Sequence, residues 1–284
     1  MQILAAHELA LWIQLIFDLT GISLNEEKEY LIRERLDGLL KKYRCNTFSH
    51  LYFLAKEPER IDVRNDIIDH ITVKETSFFR DNSPFEALRH HILPELLQKI
   101  RQRGENRPLR IWSAACATGQ EAYSIAMILR EIGARPGEYR IIATDISHQA
   151  LDIAKSGTYS RFEVERGVPR HMLERFFTPV SDNYQIDQTI KESVVFDRLE
   201  LHQPFFIPER FDLIVCRNVA IYFSTRDREK LFQQIRRHLN EDGYLLLGST
   251  ESTRDLCPLF NEARIDSRSV FLRPAGRELL LEKR

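Results

Sequence analysis

From residue 109 onward the chain alternates short apolar runs with helical patterns, and this alternation narrows its possible folds more than any other feature. Residues 109–114 (Leu-Arg-Ile-Trp-Ser-Ala) read as a strand and 123–132 as a helix. Residues 140–144 read as a second strand, 148–156 as a second helix, 211–216 as a third strand, 226–239 as a helix and 244–247 as another strand. Strands separated by helices pair in parallel, with helices covering both faces of the sheet. Residues 264–273 read as a closing strand or hairpin. The expected class is therefore α/β. With 284 residues, 43% of them hydrophobic, the chain can bury a core for this domain and for a smaller one.

The region before it is helical throughout. Leu9, Trp12, Ile13, Ile16 and Phe17 recur at helix spacing, and Gly21 follows as a C-cap. Ser23 and Glu26 have capping-box spacing and open an amphipathic stretch that runs to about Arg44. Thr47 caps a short third helix through Ala55. Pro58 marks the start of a fourth, with Ile61, Ile67, Ile68 and Ile71 as its apolar positions. These segments make a small all-α unit over residues 1–72 and leave 73–284 to the α/β domain. Ser83-Pro84-Phe85-Glu86 combines an N-cap, a first-turn proline and a glutamate, which predicts a helix to about Arg103, ended by residues 104–108. Residues 159–201 break the strand–helix rhythm. They hold a helical piece at 169–177, a turn at Ser181-Asp182-Asn183 and β-rich pieces at 184–190 and 193–196, and they read as an inserted β-subdomain. The tail, 277–284, is charged and helical in flavour.

The 41 basic and 42 acidic residues leave a net charge of −1, which argues against general binding to nucleic acid or membranes by bulk electrostatics. No apolar run reaches the roughly 18 residues of a spanning helix. The N-terminus lacks a basic region and a cleavage site, so no signal peptide is expected. Cys45, Cys116, Cys216 and Cys257 are scattered, without CxxC or Cys/His spacing, so neither a disulfide framework nor a zinc site is expected. The reading is a cytoplasmic protein with reduced thiols and no metal.

Ligands of a doubly wound sheet bind beyond the carboxyl ends of its strands. Three strand ends carry candidate chemistry. The first, Ser113-Ala114-Ala115-Cys116-Ala117-Thr118-Gly119-Gln120-Glu121, follows a strand with small residues and places a carboxylate in the first turn of the next helix. Small residues admit a ligand close to the backbone, but the loop has too few glycines for a dinucleotide fingerprint. The second ends in Thr144-Asp145-Ile146. A carboxylate there can accept from both hydroxyls of a ribose, or can cap the next helix. The third runs from a buried strand into Cys216-Arg217-Asn218-Val219-Ala220-Ile221-Tyr222-Phe223, where the aromatic pair either acts on a ligand or packs in the core.

These stretches, with Thr76-Ser77-Phe78-Phe79-Arg80, Tyr123-Ser124 and Gly248-Ser249-Thr250-Glu251, resemble the chemotaxis receptor methyltransferase family (CheR) over about residues 7–273. That family transfers methyl from S-adenosylmethionine (AdoMet) to receptor glutamates, giving methyl esters and S-adenosylhomocysteine (AdoHcy). The resemblance implies a Rossmann-like catalytic domain with a small antiparallel β-subdomain inserted in it, behind an all-α N-terminal domain. It implies Arg80 and Tyr222 near the methyl group and the substrate carboxylate. Lys74, Thr76, Arg80, Glu121, Asp145, Glu200, Leu201, Arg217 and Asn218 fall at cofactor positions, with Asp145 on the ribose. Lys74 stands where relatives often have Asn, Gln120 replaces a carboxylate, Ala122 replaces a proline, and Glu200 departs from an Asn-Leu pair whose Leu201 is kept.

The implied partners are cytoplasmic helices of methyl-accepting chemoreceptors. Residues 28–44 carry six basic residues against three acidic ones. By composition this is a solvated helix face; the resemblance turns it into a docking face of Arg33, Arg35, Lys41, Lys42 and Arg44 for acidic receptor helices. Some relatives tether to a peptide at the receptor C-terminus through the β-subdomain edge. Residues 175–196 are short for that, without a glycine in the turn, so no tether is expected. A monomer is expected, with no nucleic acid and no membrane insertion. Two other readings differ in chemistry. An inactive AdoMet-binding module would lack reason to keep Arg80 and Tyr222. A nucleic-acid methyltransferase would be expected to show a basic surface and, for amino-group targets, a [DN]PP[YF] loop where Arg217-Asn218-Val219-Ala220 stands here.

Overall fold

The computed structural model describes residues 4–104, 107–254, 256–265 and 270–275. The charged tail 277–284 lies outside the described residues, as do Glu105 and Asn106 of the segment expected to end a helix. Four helices, α1 (Ala6–Thr20), α2 (Glu29–Lys42), α3 (Phe48–Lys56) and α4 (Ile61–Ile71), form the N-terminal unit around Trp12, Ile16, Ile32, Leu36, Leu51, Val63 and Ile67. Gly21 ends α1 at φ 72, in the left-handed conformation that a C-cap glycine supplies. The expected capping box of Ser23 and Glu26 does not form. A 3-10 turn, Glu26–Lys28, precedes α2, and the Ser23 amide instead donates to the Tyr222 carbonyl at 2.9 Å. Helix α4 starts at Ile61 and not at Pro58, because Arg64 takes the carbonyls of Ala55, Glu57 and Pro58 and fixes them as a turn.

After an irregular link, α5 (Ser83–Ala87) passes through one π turn, Leu88–Ile92, into α6 (Leu93–Gln102). Pro94 has no amide hydrogen and its ring crowds the carbonyl four residues back; the wider π turn just before it relieves the crowding. The helix expected from Ser83 to about Arg103 is thus present, with this interruption.

The remaining elements follow in order: β1 (Leu109–Ala114), α7 (Gln120–Glu131), β2 (Tyr139–Asp145), α8 (His148–Ser156), β3 (Thr158–Ser160), α9 (Arg161–Gly167), α10 (Arg170–Phe176), β4 (Phe177–Val180), β5 (Asn183–Ile186), α11 (Gln188–Lys191), β6 (Val194–Arg198), β7 (Phe211–Cys216), α12 (Thr225–His238), β8 (Leu239–Leu247), β9 (Phe260–Arg264) and β10 (Val270–Pro274). The large sheet has the order β6-β2-β1-β7-β8-β10-β9, with β6, β2, β1, β7 and β8 parallel and β10 reversed. The strand order changes direction between β1 and β7, which opens a crevice above their carboxyl ends. Alternate residues feed two cores: Ile111, Leu213 and Val215 on one face, Trp112, Ile214 and Leu245 on the other.

The insertion forms a three-stranded antiparallel sheet, β3-β5-β4, in which Ser181 and Asp182 close the β4–β5 hairpin. Residues 193–196, grouped with it on the sequence, belong elsewhere. Strand β6 lies parallel to β2, with Ile141 opposite Val194, and edges the large sheet. A short β-rich run carries no mark of which sheet it joins; here α11 turns the chain back to the main sheet.

At the opposite end of the sheet from the crevice, the Asp212 carboxylate ties three strands together. It accepts from Arg107 at 2.7 and 3.0 Å, from the Arg110 amide at 2.9 Å and from Asn240 at 2.7 Å. Asp212→Ala takes away the acceptor shared by the Arg110 amide, the Asn240 side chain and Arg107, so unfolding stability should fall by about 2 kcal/mol. Denaturant titration should show that loss, with AdoHcy affinity of the folded variant unchanged because the crevice lies at the other end.

Candidate active site

A cavity with about 900 Å³ of space, counting its open mouth, sits over the β1/β7 crevice. Ala115, Cys116 and Ala117 line it after β1, Asp145 and Ile146 at the end of β2, Arg217, Asn218 and Val219 after β7, and Glu121 from α7.

The loop after β1 is drawn in tightly. Ala115 and Ala117 have φ 59 and 47, and Gly119 has φ 92. A Cβ on Gly119 would meet Ala154 Cβ at 2.8 Å, so this position must be glycine. The Asp145 carboxylate holds the loop, accepting from the Ala117 amide at 2.8 Å with one oxygen and from the Ser147 amide at 2.9 Å with the other. Burial pushes its pKa up, against these backbone hydrogen bonds and the Lys74 charge, which favour the ionised form.

Arg80 arrives on the link between the two units. Phe78 packs edge-on to Tyr159 and Phe177 with centroids 5.1 and 5.5 Å apart, and Phe79 packs on Phe85 at 5.6 Å. Phe79, Asp81 and Asn82 all have positive φ, 50, 69 and 47. For a bulky residue such as Phe79 that region is strained. Its amide is held by Ser124 Oγ at 3.0 Å. The aromatic pair thus anchors the turn, and Arg80 projects to the cavity, its guanidinium bonded to the Glu75 carbonyl at 3.0 Å.

Arg217 joins these pieces. Its side chain is 2% exposed and pairs with Glu121 at 3.3 Å and Asp81 at 2.6 Å; it also donates to the Arg80 carbonyl at 3.2 Å. Glu121 accepts from Ser113 Oγ at 2.8 Å on its other oxygen. Burial raises the Glu121 pKa, and Arg217 is the largest influence opposing it. Beyond Arg217, Asn218 adopts φ 58 and its Oδ1 is buried without a hydrogen-bond partner among the described residues.

Of the nine residues expected at the cofactor, Thr76, Arg80, Glu121, Asp145, Leu201, Arg217 and Asn218 line the cavity, and so does Tyr222. Lys74 and Glu200 do not. Lys74 bonds Gln149 on α8, and Glu200 pairs with Arg198 at 3.1 Å. The cavity also takes Thr20, Ile22, Val73 and Leu199, which the sequence reading missed, and Phe223 of the aromatic pair that it left open between ligand and core. Thr20 and Ile22 come from the helical unit, brought there by tertiary contacts that include the Ser23 amide on the Tyr222 carbonyl and His202 on the Asp18 carbonyl. Cys116 and Cys216 are fully buried, and burial pushes both thiols well above their ordinary pKa, so neither presents a thiolate.

The five expected docking cations differ in what they do. Arg35 donates to the Ile71 carbonyl at the end of α4, and Lys42 pairs with Asp66. Arg33 pairs with Glu29 at 3.8 Å. Lys41 and Arg44 stay exposed, Lys41 only 3.8 Å from an exposed Asp37.

Comparison with known proteins matches this geometry to a family. The model of the CheR methyltransferase all-alpha domain matches residues 7–72, and that of the CheR methyltransferase SAM binding domain matches residues 74–268. The chain is 36% identical to the chemotaxis protein methyltransferase of Borreliella burgdorferi over 253 residues, covering 87% of this chain and 88% of that one. It is 36% identical to chemotaxis protein methyltransferase 1 of Vibrio cholerae over 256 residues, covering 88% and 91%. Chemotaxis protein methyltransferase 1 of Pseudomonas aeruginosa is 35% identical over 242 residues, covering 83% and 86%. With both domains matched and identity of this order along most of its length, the chain belongs to the CheR family of AdoMet-dependent chemotaxis methyltransferases.

Proposed function

We propose that the protein methylates glutamate side chains on the cytoplasmic helices of chemoreceptors, acting in the cytoplasm as a monomer. The observation that carries this reading is the convergence of Arg80, Glu121, Asp145, Asn218 and Tyr222 on one cavity in a chain of this family. The cavity suits AdoMet. Asp145 keeps lone pairs for the ribose hydroxyls beyond the two amides it accepts. The unpartnered Asn218 Oδ1 and the Glu121 carboxylate offer acceptors to an ammonium group, and Ile22, Ile146, Leu199 and Leu201 offer apolar surface to an adenine ring. When bound, AdoMet supplies a methyl group on a positively charged sulfur and is released as AdoHcy after the methyl has moved to a carboxylate.

The protein's own task is positioning. A glutamate with a pKa of about 4.3 is already ionised at neutral pH and needs no base. Arg80 and Tyr222 orient it at the cavity mouth. Arg80 shares its guanidinium with the Glu75 carbonyl, so it steers the carboxylate without quenching it. The buried lining excludes water, which otherwise solvates the ionic reactants better than a transition state in which their charges are cancelling. The test is transfer of labelled methyl from AdoMet to a receptor cytoplasmic fragment. Alkali-labile label in the receptor is expected; no label, or alkali-stable label, would overturn the reading.

Three outcomes follow from these roles. Arg80→Ala should keep its melting temperature and lose most transfer, since the Arg80 side chain makes one exposed hydrogen bond among the described residues; near-normal turnover would refute the assignment. AdoHcy affinity should fall on acidification as Asp145 is protonated. Because burial raises its pKa, the fall should begin at a higher pH than the range near 3.9 of an ordinary aspartate. Asp145→Asn should bind weakly with a flattened pH profile, measured by calorimetry.

Receptor docking rests on Lys41 and Arg44. Reversing both should weaken association with a receptor fragment and flatten its salt dependence, with AdoHcy affinity kept. Reversing Arg35 should cost stability instead. The two-residue turn of the β4–β5 hairpin supports a tether-independent enzyme, so receptor fragments with and without their final residues should be methylated equally in this assay.

A further inference from the structure

The loop that carries Asn218 and Tyr222 is held by a carboxylate that none of the site roles uses. Glu251, in the turn after β8, accepts four backbone amides. One oxygen takes Asn218 at 2.7 Å and Gly248 at 2.8 Å; the other takes Val219 at 3.0 Å and Ala220 at 2.8 Å. Three successive amides aimed at one carboxylate form a concave donor site of the kind that binds anions, and here the anion is part of the chain. Successive amides converge this way only because Asn218 sits at φ 58. The same φ sets the direction of its side chain, whose buried Oδ1 has no partner among the described residues. The last of the clamped amides, Ala220, opens the 3-10 turn Ala220–Tyr222, whose far end is tied to the helical unit through the Ser23 amide.

Gly248 makes the clamp possible. A Cβ there would meet Glu251 Oε2 at 2.7 Å, Asn218 Nδ2 at 2.9 Å and the Asn218 amide nitrogen at 3.0 Å. Two of these contacts are to the clamp itself, so a side chain at this position would push Glu251 and the loop apart.

We infer that Glu251 is a positioning residue for transfer: it fixes the Asn218–Tyr222 loop so that Asn218 meets the cofactor and Tyr222 meets the substrate. The inference rests on the proposed methyl transfer at this cavity. A glutamine is close to isosteric but turns one oxygen into a donor, which then faces two amides that need an acceptor. Misplacing a positioning group by about 1 Å can cost on the order of 100-fold in rate.

The test compares the wild type, Glu251→Gln and Gly248→Ala in the full chain. Three readouts are taken: AdoHcy affinity by calorimetry, kcat and KM for methylation of a receptor fragment, and hydrogen exchange at the amides of 218–220. For Glu251→Gln we expect AdoHcy binding weaker by roughly 10-fold and kcat lower by 10- to 100-fold, with the receptor KM little changed, and fast exchange confined to those amides. Gly248→Ala keeps the charge and should reproduce this pattern, which a general loss of stability would not. If Glu251→Gln does not fold, Gly248→Ala decides alone. A folded variant with protected amides, wild-type affinity and wild-type kcat would overturn the inference. Failure of the wild type itself to bind AdoHcy would instead overturn the proposed function.

Discussion

The buried guanidinium of Arg217 is the interaction on which the site depends. An arginine at 2% exposure is tolerable only when its charge is met, and here it is met by groups from two separate elements: Glu121 from the first turn of α7 and Asp81 from the interdomain link. Each partner has its own attachment. Glu121 reaches back to Ser113 in β1, and the Arg80 carbonyl beside Asp81 accepts from Arg217 as well. Satisfying one buried cation therefore fixes the link between the two units, the start of α7 and the end of β7 relative to each other. Arg80 owes its place at the cavity to this arrangement and to the packing of Phe78 and Phe79.

The backbone around the cavity is held away from its relaxed state. Phe79, Asp81, Asn82, Ala115, Ala117 and Asn218 all take positive φ without being glycine. Such residues persist only where their surroundings over-determine them. Side-chain anchors are visible for four of them: Ser124 for Phe79, Arg217 for Asp81, Asp145 for Ala117 and Glu251 for Asn218. Three of these anchors are charged side chains binding backbone amides or a neighbouring carboxylate. The rigidity suits chemistry that needs alignment and dryness more than acid–base assistance.

The α/β architecture was legible because periodicity reports it. Buried parallel strands such as 211–216 are continuous apolar runs, and the acid closing β2 marks itself by position. Seven of the nine cofactor residues that the resemblance suggested line the cavity, while Lys74 and Glu200, the positions that depart from the family pattern, face other partners. What could not be read depends on contacts between segments far apart in sequence. Ser23 serves the Tyr222 carbonyl and not a helix cap, Arg35 serves the end of α4 and not solvent, and β6 chooses the large sheet over the small one. Alanines at positive φ leave no trace in composition at all.

A double-mutant cycle on Arg217 and Glu121, followed by denaturant unfolding, tests the central role of the buried cation most directly. Glu121→Gln leaves Arg217 short of a counter-charge, and Arg217→Met leaves Glu121 buried and unpaired; together they remove both problems. The double variant should be far more stable than the sum of the single losses implies, with a coupling of at least about 1 kcal/mol. Losses that add to within about 0.5 kcal/mol would mean that the pair is not coupled and that something else organises the site.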